Sequence, residues 1–167
     1  LRGAATGGQL ASVEAGSDMY SSILIPTDGS AVAQAGVDQG LDIAKKYGSK
    51  VIALTVTEPL GGQFAYASEL WAPSDAEVAA YDEAQEQLAV RILSPVREKA
   101  VSLGLEVETV HVPWKLPARA IVEIAEQKDC GLIVMSSHGR TGLNRVMLGS
   151  QTAAVLASAH VPVLVAR

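Results

Sequence analysis

Short strand-like runs alternate with longer helical stretches along almost the whole chain, and this alternation limits the folds available to it. The strand-like runs span residues 23–25, 51–56, 106–112, 132–135 and 161–165. Helical patterns separate them at residues 31–47, 74–103, 117–127 and 149–159. Hydrophobic residues make up 49% of the chain and aromatic residues only 4%, so the core must consist of Val, Ile, Leu and Ala. Aliphatic strands alternating with helices are typical of a parallel sheet covered by helices.

Residues with special backbone preferences indicate where the helices begin and end. Gly48 is expected to end the first helix, and Ser74 is expected to cap the second. Pro117 fits the first turn of the third helix, because a proline there removes no helical hydrogen bond. Pro95 lies inside the second helical stretch, so we expect a kink or a division of the helix at that position.

The handedness of the connections restricts the order of the strands. Right-handed crossovers leave few ways to wind five parallel strands. We predict a single five-stranded parallel sheet with helices on both faces and the strand order 3-2-1-4-5. In this α/β arrangement the first and fourth strands are neighbours where the winding direction changes, and ligands bind beyond the carboxyl ends of the strands at that point. Residues 27–30 and 136–150 follow these two strands and are therefore the candidate site.

The segment after the fourth strand combines glycines with the start of a helix. Glycine lets a backbone approach an anion closely, and the first turn of a helix presents unpaired N–H groups. Gly149, Ser150, Gln151 and Thr152 would line this helix start, with the hydroxyls of Ser150 and Thr152 as further donors. The same residues also fit an ordinary link between a strand and a helix, so both interpretations stay open.

A carboxylate follows the first strand in the sequence Pro26-Thr27-Asp28-Gly29-Ser30. A carboxylate at this position can accept hydrogen bonds from a base amino group or from ribose hydroxyls. Alternatively, Asp28 or Ser30 caps the helix that follows. Taken alone, the sequence favours the capping role.

Four stretches together resemble the universal stress protein family. They are ILIPTDGS at residues 23–30, GLIVMSSHGRTGL at 131–143, LGS at 148–150 and VPVLVAR at 161–167. The resemblance covers residues 19–167, and we interpret residues 1–18 as a flexible leader or an expression remnant. It implies a Rossmann-like fold of the adenine nucleotide alpha hydrolase type. It also implies a stress-response protein that binds ATP or AMP, with any Mg²⁺ held through the phosphates only.

The resemblance implies roles for individual residues as well. Asp28 and the backbone near Val56 would hold adenine, and the turn after Met135 would contact the ribose and the phosphates. Gly149 and the amides that follow it would bind the phosphates. The complete predicted nucleotide-binding set is Pro26, Thr27, Asp28, Val56, Met135, Ser136, His138, Gly139, Arg140, Gly149, Ser150, Gln151 and Thr152.

Two positions depart from the nucleotide-binding branch of the family. That branch carries Gly, two residues, Gly, nine residues, then Gly-Ser or Gly-Thr. Gly139 and Gly149 match the later glycines, but Ser136 stands at the first position. A serine fits there if its φ is negative, although its side chain could narrow the pocket. Lys115 precedes Pro117 where related chains often carry a small Gly, and it either contacts a phosphate or is solvated.

Charge, cysteine content and hydropathy exclude several classes of function. The formal net charge is −5, which argues against nucleic acid as a partner. No apolar run approaches the roughly 20 residues of a membrane span, so no membrane is expected as a partner. Cys130 is the single cysteine, so the chain has no internal disulfide, and a reducing cytoplasmic location is expected.

Recognisable catalytic patterns are missing from the sequence. It contains no P-loop, no dinucleotide fingerprint after a strand and no nucleophile elbow. His111, His138 and His160 lie far apart in the chain without nearby Cys or paired acids, so no metal site is predicted. We therefore predict a protein that is not an enzyme, with weak ATP hydrolysis at most.

Three functional hypotheses follow, and the leading one is a regulatory protein that binds an adenine nucleotide. The second is a nucleotide-independent protein-interaction dimer, which the departure at Ser136 keeps open. The third is a slow ATPase or an adenylate-transferring relative. The resemblance implies a two-fold homodimer through the last strand, from Val161 to Val165, and an apolar edge strand is open to such pairing.

Aromatic residues cluster around the Pro- and Gly-rich segment 58–73, which is predicted to be a loop. They are Tyr66, Trp71 and Tyr81, and they could form a lid, a partner surface or peripheral packing. Peripheral packing is the favoured interpretation.

Overall fold

Strands and helices alternate without exception in the computed structural model, which describes residues 20–60, 73–137 and 148–167. The strands are β1 (Ser22–Pro26), β2 (Lys50–Val56), β3 (Val107–Val112), β4 (Leu132–Ser136) and β5 (Val163–Ala166). The helices are α1 (Gln34–Tyr47), α2 (Asp75–Ser102), α3 (Pro117–Gln127) and α4 (Ser150–Ser158). All the predicted elements are therefore present.

The five strands form one parallel sheet in the order β3-β2-β1-β4-β5. This is the predicted order 3-2-1-4-5. The central strand β1 pairs with β2 on one side and with β4 on the other, with Ile23 opposite both Val51 and Leu132. The winding direction changes between β1 and β4, so the predicted crevice lies at the carboxyl ends of these two strands.

Alternation along β1 divides the core into two layers. Ile23 and Ile25 pack with apolar residues of α1 and α2 on one face of the sheet. Leu24 points the other way and packs with residues of α3 and α4. Successive side chains of a strand point to opposite faces, so a strand with all its residues buried must be covered on both sides. Helices on both faces are thus confirmed.

Two element boundaries differ from the sequence prediction. Helix α1 begins at Gln34 rather than at residue 31, because Ser30 starts a turn in which its side-chain oxygen accepts a hydrogen bond from Ala33 N at 3.1 Å. Strand β5 begins at Val163 rather than at residue 161, because Pro162 has no N–H to add to the ladder, although its carbonyl accepts from Ile133 N at 3.0 Å.

Helix α2 runs unbroken from Asp75 to Ser102 through Pro95. The predicted division at this proline is wrong, because Pro95 lies on the exposed side, where water can satisfy the carbonyl that loses its partner. The helix begins with a capping box in which Ser74 and Glu77 bond each other's backbone N–H groups, as the predicted cap at Ser74 requires. None of the helices within the described ranges is long and apolar enough to cross a membrane.

Candidate functional site

The carboxyl ends of β1 and β4 lie side by side in the structure. Ile23 is the parallel partner of Leu132 and Leu24 that of Ile133, and the two strands end two and three residues farther on, at Pro26 and Ser136. The segments that follow these strands therefore start from neighbouring points at the same edge of the sheet. The two halves of the predicted site meet, although they are separated by more than 100 positions in the chain.

The segment after β1 is a compact turn held by its own polar groups. Thr27 N donates to Leu54 O at 2.8 Å, and Thr27 Oγ1 accepts from Gly29 N at 3.2 Å. Asp28 Oδ1 accepts from Ser30 N at 3.0 Å. Gly29 has a φ of +74°, which a residue with a side chain rarely adopts. The carboxylate of Asp28 thus shapes this turn, and Ser30 rather than Asp28 bonds the first turn leading into α1.

The backbone of Val56, at the end of β2, faces the space beyond the carboxyl end of β1. We call this space the gap. Thr57 N donates to Val112 O at 3.1 Å, so the peptide groups of Thr57 point toward β3. Leu54 O accepts from Thr27 N, so the peptide groups of Leu54 point toward β1. Because this direction alternates along a strand, Val56 also directs its N–H and C=O toward the segment that follows β1. The peptide groups of Val56 therefore face the side of β2 on which the turn carrying Asp28 follows β1.

Helix α4 begins next to the end of β4. Gly149 N donates to Ser137 O at 2.8 Å, and the first hydrogen bond inside the helix runs from Ala153 N to Gly149 O at 2.9 Å. Within the described part of the chain, no acceptor faces the three intervening amides, those of residues 150–152, and the helix has neither a side-chain cap nor an acidic residue in its first turn. Such a helix start attracts anions through its free N–H groups and its dipole.

The side chains of Gln151 and Thr152 have partners within the protein. Thr152 Oγ1 donates to Ser136 O at 3.0 Å and is buried. The predicted use of this hydroxyl as a ligand donor is therefore wrong, and only the backbone N–H of Thr152 remains for that role. Gln151 Oε1 accepts from Ala118 N at 3.0 Å and so supplies the cap that α3 lacks at Leu116. Ser150 is exposed.

Ser136 meets the condition under which a serine can replace the expected glycine. It is the last residue of β4 and is buried, and it is not among the described non-glycine residues with positive φ, which are Trp114 and Asp129. Met135 packs with α3 and α4, so alternation directs the Ser136 side chain to the opposite face, where α1 lies. The side chain is thus directed away from the start of α4.

Lys115 forms an ion pair with Glu123 on α3. Arg119 Nε contacts the same carboxylate at 2.7 Å. The Lys115 ammonium, and after it the Arg119 guanidinium, lowers the pKa of Glu123 through these hydrogen bonds. This contact supports the interpretation of Lys115 as a surface residue over the alternative of a phosphate ligand.

Three residues of the predicted site lie outside the described ranges: His138, Gly139 and Arg140. The same is true of Tyr66 and Trp71. The described site therefore consists of the segment after β1, the end of β2, the end of β4 and the start of α4. Within these ranges no group of three or more His, Cys, Asp or Glu side chains is placed to hold a metal ion.

A polar and aromatic cluster lies next to the end of β2, and of its members only Tyr81 was singled out from the sequence, as a residue of peripheral packing. His111 Nε2 and Thr57 Oγ1 lie 2.9 Å apart, and Tyr81 Oη donates to Glu58 O at 2.6 Å. Burial lowers the pKa of His111, with Glu86 acting weakly in the opposite direction. His111 and Thr57 are 54 positions apart, and only strand pairing brings them together, so no local pattern could have revealed the contact.

The chain is similar to proteins of one family over nearly its whole length. The model of the universal stress protein family matches residues 19–167. The universal stress protein MJ0531 of Methanocaldococcus jannaschii is 35% identical over 159 residues, which cover 91% of this chain and 85% of that protein.

Solved structures with this fold lead to the same family. The structure of MJ0577 from the same organism is 28% identical, with a TM-score of 0.71 and coverage of 89% of this chain and 96% of that one. A universal stress protein in complex with cAMP has a TM-score of 0.64 at 23% identity, covering 89% and 97% of the two chains. From its sequence match and its fold, the chain belongs to the universal stress protein family.

Proposed function

We propose that this protein binds an adenine nucleotide, ATP or AMP, at the carboxyl ends of β1 and β4, and that occupancy regulates a response to stress. The observation that carries the proposal is the meeting of two unlike recognition groups at one edge of the sheet. The Asp28 carboxylate follows β1, and the Val56 backbone at the end of the neighbouring strand β2 is directed toward that turn. The uncapped start of α4 is joined to the end of β4, the other neighbour of β1.

These two groups match the two ends of a nucleotide. Carboxylate and backbone groups offer hydrogen bonds to a base and a ribose, whereas free amides at a helix start stabilise phosphate. The net charge of −5 disfavours anions at long range, so a phosphate ligand requires local donors of this kind. A relative crystallised with cAMP has the same fold, although at 23% identity the likeness concerns the fold alone.

The first test is a search for bound nucleotide in the purified protein. The protein is heat-denatured, and the supernatant is separated by anion exchange against AMP, ADP and ATP standards. An adenylate peak of about one equivalent supports the proposal and identifies the ligand. If the supernatant is empty, isothermal titration with ATP and with AMP, each with and without Mg²⁺, decides the question, and no binding at 1 mM nucleotide contradicts the proposal.

A substitution at the helix start tests the location of the site. Gly149 has φ −59° and ψ 145°, which any residue can adopt, so Gly149→Val adds bulk without backbone strain. The variant should fold normally and lose at least tenfold in nucleotide affinity. Ala157→Val, on the exposed last turn of the same helix, is the matched control and should bind as the wild type does. Undiminished binding by Gly149→Val would refute this location.

Self-association through β5 is a second part of the proposal, and the direction of its peptide groups supports it. Ile133 N donates to Pro162 O and Ser137 N donates to Ala166 O, so even-numbered residues of this segment bond to β4. The peptide groups of Val163 and Val165 therefore point away from β4, toward the outer edge of the sheet. An edge strand with outward N–H and C=O groups can pair with a second copy.

Size-exclusion chromatography with light scattering tests this pairing. Val165→Pro removes one outward N–H and leaves the bonds to β4 in place, so it should shift the protein from dimer to monomer. Val165→Thr keeps the N–H and serves as the control. A wild-type protein that is monomeric at 100 µM would contradict the proposed dimer. A nucleotide-free protein that is still dimeric would favour the hypothesis of a nucleotide-independent interaction dimer.

A further inference from the structure

The first half of α2 lies outside the core but contacts the end of the sheet. The residues of α2 that are buried begin at Ala89, four turns after the helix starts. Before that point one side of the helix lies against the connections that follow β2 and β3. Tyr81 Oη donates to Glu58 O at 2.6 Å, and Trp114 Nε1 donates to Asp82 Oδ1 at 2.5 Å.

The two aromatic rings of this contact also pack against each other. The centroids of Tyr81 and Trp114 are 5.9 Å apart with the rings at 73°, an edge-to-face arrangement that aromatic pairs favour. Trp114 has a φ of +59°, a conformation that costs free energy for a bulky residue and persists only where its surroundings hold it. The ring contact and the hydrogen bond to Asp82 are the interactions that hold it here.

These contacts restrain the end of β2 from two sides. Thr57 is fixed toward β3 by its N–H on Val112 O and by its hydroxyl next to His111. The hydrogen bond from Tyr81 Oη fixes the carbonyl of Glu58. Burial, and after it the charges of Glu58 and Asp82, raise the pKa of Tyr81. The phenol therefore keeps the proton that it donates. The peptide groups of Val56, directly before these two residues, are thereby held toward the gap above β1.

The same helix supports the other wall of that gap. Gly29, in the turn after β1, lies against Ile92 of α2, and a Cβ at Gly29 would be 2.9 Å from Ile92 Cγ1. Tyr81 and Ile92 are three turns apart on one continuous helix. Helix α2 therefore sets the spacing between the end of β2 and the turn that carries Asp28.

We propose that Tyr81 is a positioning residue which, with Trp114, holds the Val56 backbone where it distinguishes adenine from other bases. This inference rests on the proposed nucleotide site and adds to it the group that determines base selectivity. A backbone edge discriminates between bases only if its N–H and C=O are fixed, because a mobile edge adapts to the wrong donor and acceptor pattern. Tyr81 therefore affects recognition of the base and leaves recognition of the phosphates unchanged.

Competition binding of ATP and GTP against a fluorescent ATP analogue tests this selectivity. The variant Tyr81→Phe keeps the ring contact and removes the hydrogen bond to Glu58 O. It should weaken ATP binding about threefold to tenfold, the range expected for the loss of one hydrogen bond, and should change GTP binding less. The ratio of the ATP affinity to the GTP affinity should thus fall, by up to about tenfold where GTP binding is unchanged. Glu83→Gln, an exposed change in the same turn of α2 whose carboxylate contacts Gln87 within the helix, is the control.

A second measurement follows Trp114 directly. The chain has two tryptophans, so in a Trp71→Phe background Trp114 is the single indole emitter. Binding of ATP should change its emission, and the additional substitution Tyr81→Phe should reduce that change. This signal responds to the local cluster, whereas a general loss of stability would leave it unaltered in the folded protein.

The outcomes separate the two proposals. If the wild-type protein binds no nucleotide, the proposed function fails and this inference fails with it. If the wild type binds ATP but Tyr81→Phe loses affinity for ATP and GTP equally, or loses none, the positioning role is refuted while the nucleotide site stands. A reduced ATP to GTP ratio together with a reduced Trp114 response supports the inference.

Discussion

Thr152 Oγ1 donates a hydrogen bond of 3.0 Å to the backbone carbonyl of Ser136, so the first turn of α4 is attached directly to the last residue of β4. Gly149 N donates to Ser137 O next to it. These two hydrogen bonds join the start of α4 to the end of β4. They place the free amides of α4 at the edge of the sheet where β1 also ends.

Replacing Thr152 by Val should destabilise the protein by about 1–2 kcal/mol, because the buried hydrogen bond is lost while the shape of the side chain is kept. Urea denaturation should show a lower midpoint with an unchanged slope. Thr152→Ser keeps the hydroxyl and should recover most of the loss. If Val and Ser variants are equally stable, the hydrogen bond contributes nothing to stability.

Replacing Gly36 by Ala should disturb the contact between α1 and the end of β4. The added Cβ would lie 2.6 Å from Ser136 N, and backbone cannot move aside as a side chain can. We expect a loss of about 1–3 kcal/mol and weaker nucleotide binding, because the end of β4 must shift.

Gly40→Ala is the matched control for that change, since its Cβ would meet side-chain atoms rather than backbone, at 2.5 Å from Cδ1 and 2.8 Å from Cγ1 of Ile25. The fully buried Ile25 side chain must shift to make room, which offsets part of the gain of about 0.5–1 kcal/mol from replacing a helical glycine by alanine, but no backbone has to move. The control should therefore be clearly more stable than Gly36→Ala in the same urea titration. Equal stabilities would show that α1 moves freely against β4.

The partly buried His111, next to Thr57, should make the stability of the protein depend on pH. Burial lowers the pKa of His111 below its ordinary value of 6.5, so the unfolded chain takes up a proton first as the pH falls. This contribution to stability is complete above pH 6.5 and is lost as the pH falls toward the lowered pKa of the folded state. His111→Asn should flatten the dependence of unfolding free energy on pH between 7 and 5.

Replacing Glu86 should change the pH dependence caused by His111 in the opposite direction to His111→Asn. Its charge raises the pKa of His111 and so opposes the effect of burial. Glu86→Gln should therefore steepen the loss of stability between pH 7 and 5. A shallower dependence in this variant would contradict the assignment.

Acid should also weaken the ion pairs around Glu108 on β3. Lys128 first, and then Lys50, lower the pKa of Glu108 by hydrogen bonds of 2.6 Å and 3.0 Å. The stabilisation is present above the unfolded pKa of about 4.5 and is lost as the pH falls through the lower folded pKa. Glu108→Gln should cost about 0.2–1 kcal/mol at pH 7 and nothing at pH 2.

Two controls, added salt and a substitution at a second glutamate, test whether the effect of Glu108→Gln is electrostatic. In 1 M NaCl the difference between wild type and Glu108→Gln should shrink, because partly exposed charges are screened. Glu98→Gln, on the exposed face of α2, should change stability by less than Glu108→Gln at pH 7. An effect of Glu108→Gln that persists at pH 2 would point to packing rather than charge.

Most of the fold was predictable because the signals for it are local. The apolar run from residue 51 to 56 has the composition of a strand buried on both faces, and Gly48 and Ser74 act as helix boundaries through their own backbone preferences. Of the kink or division predicted at Pro95, the division is wrong, because the cost of a proline depends on whether water reaches the carbonyl that it leaves unpaired, and exposure decides that.

The sequence by itself determined the alternation of elements, the parallel sheet and the two segments that meet at its edge, since hydrophobic periodicity and capping act over a few neighbouring residues. Only the tertiary structure decided which polar groups at that edge form hydrogen bonds within the protein. Thr152 was predicted to face a ligand but bonds Ser136, and Gln151 caps α3. Tyr81 reaches Glu58 across 23 positions. Hydrogen bonds depend on distances and directions of a few tenths of an ångström, and these arise only when distant segments pack together.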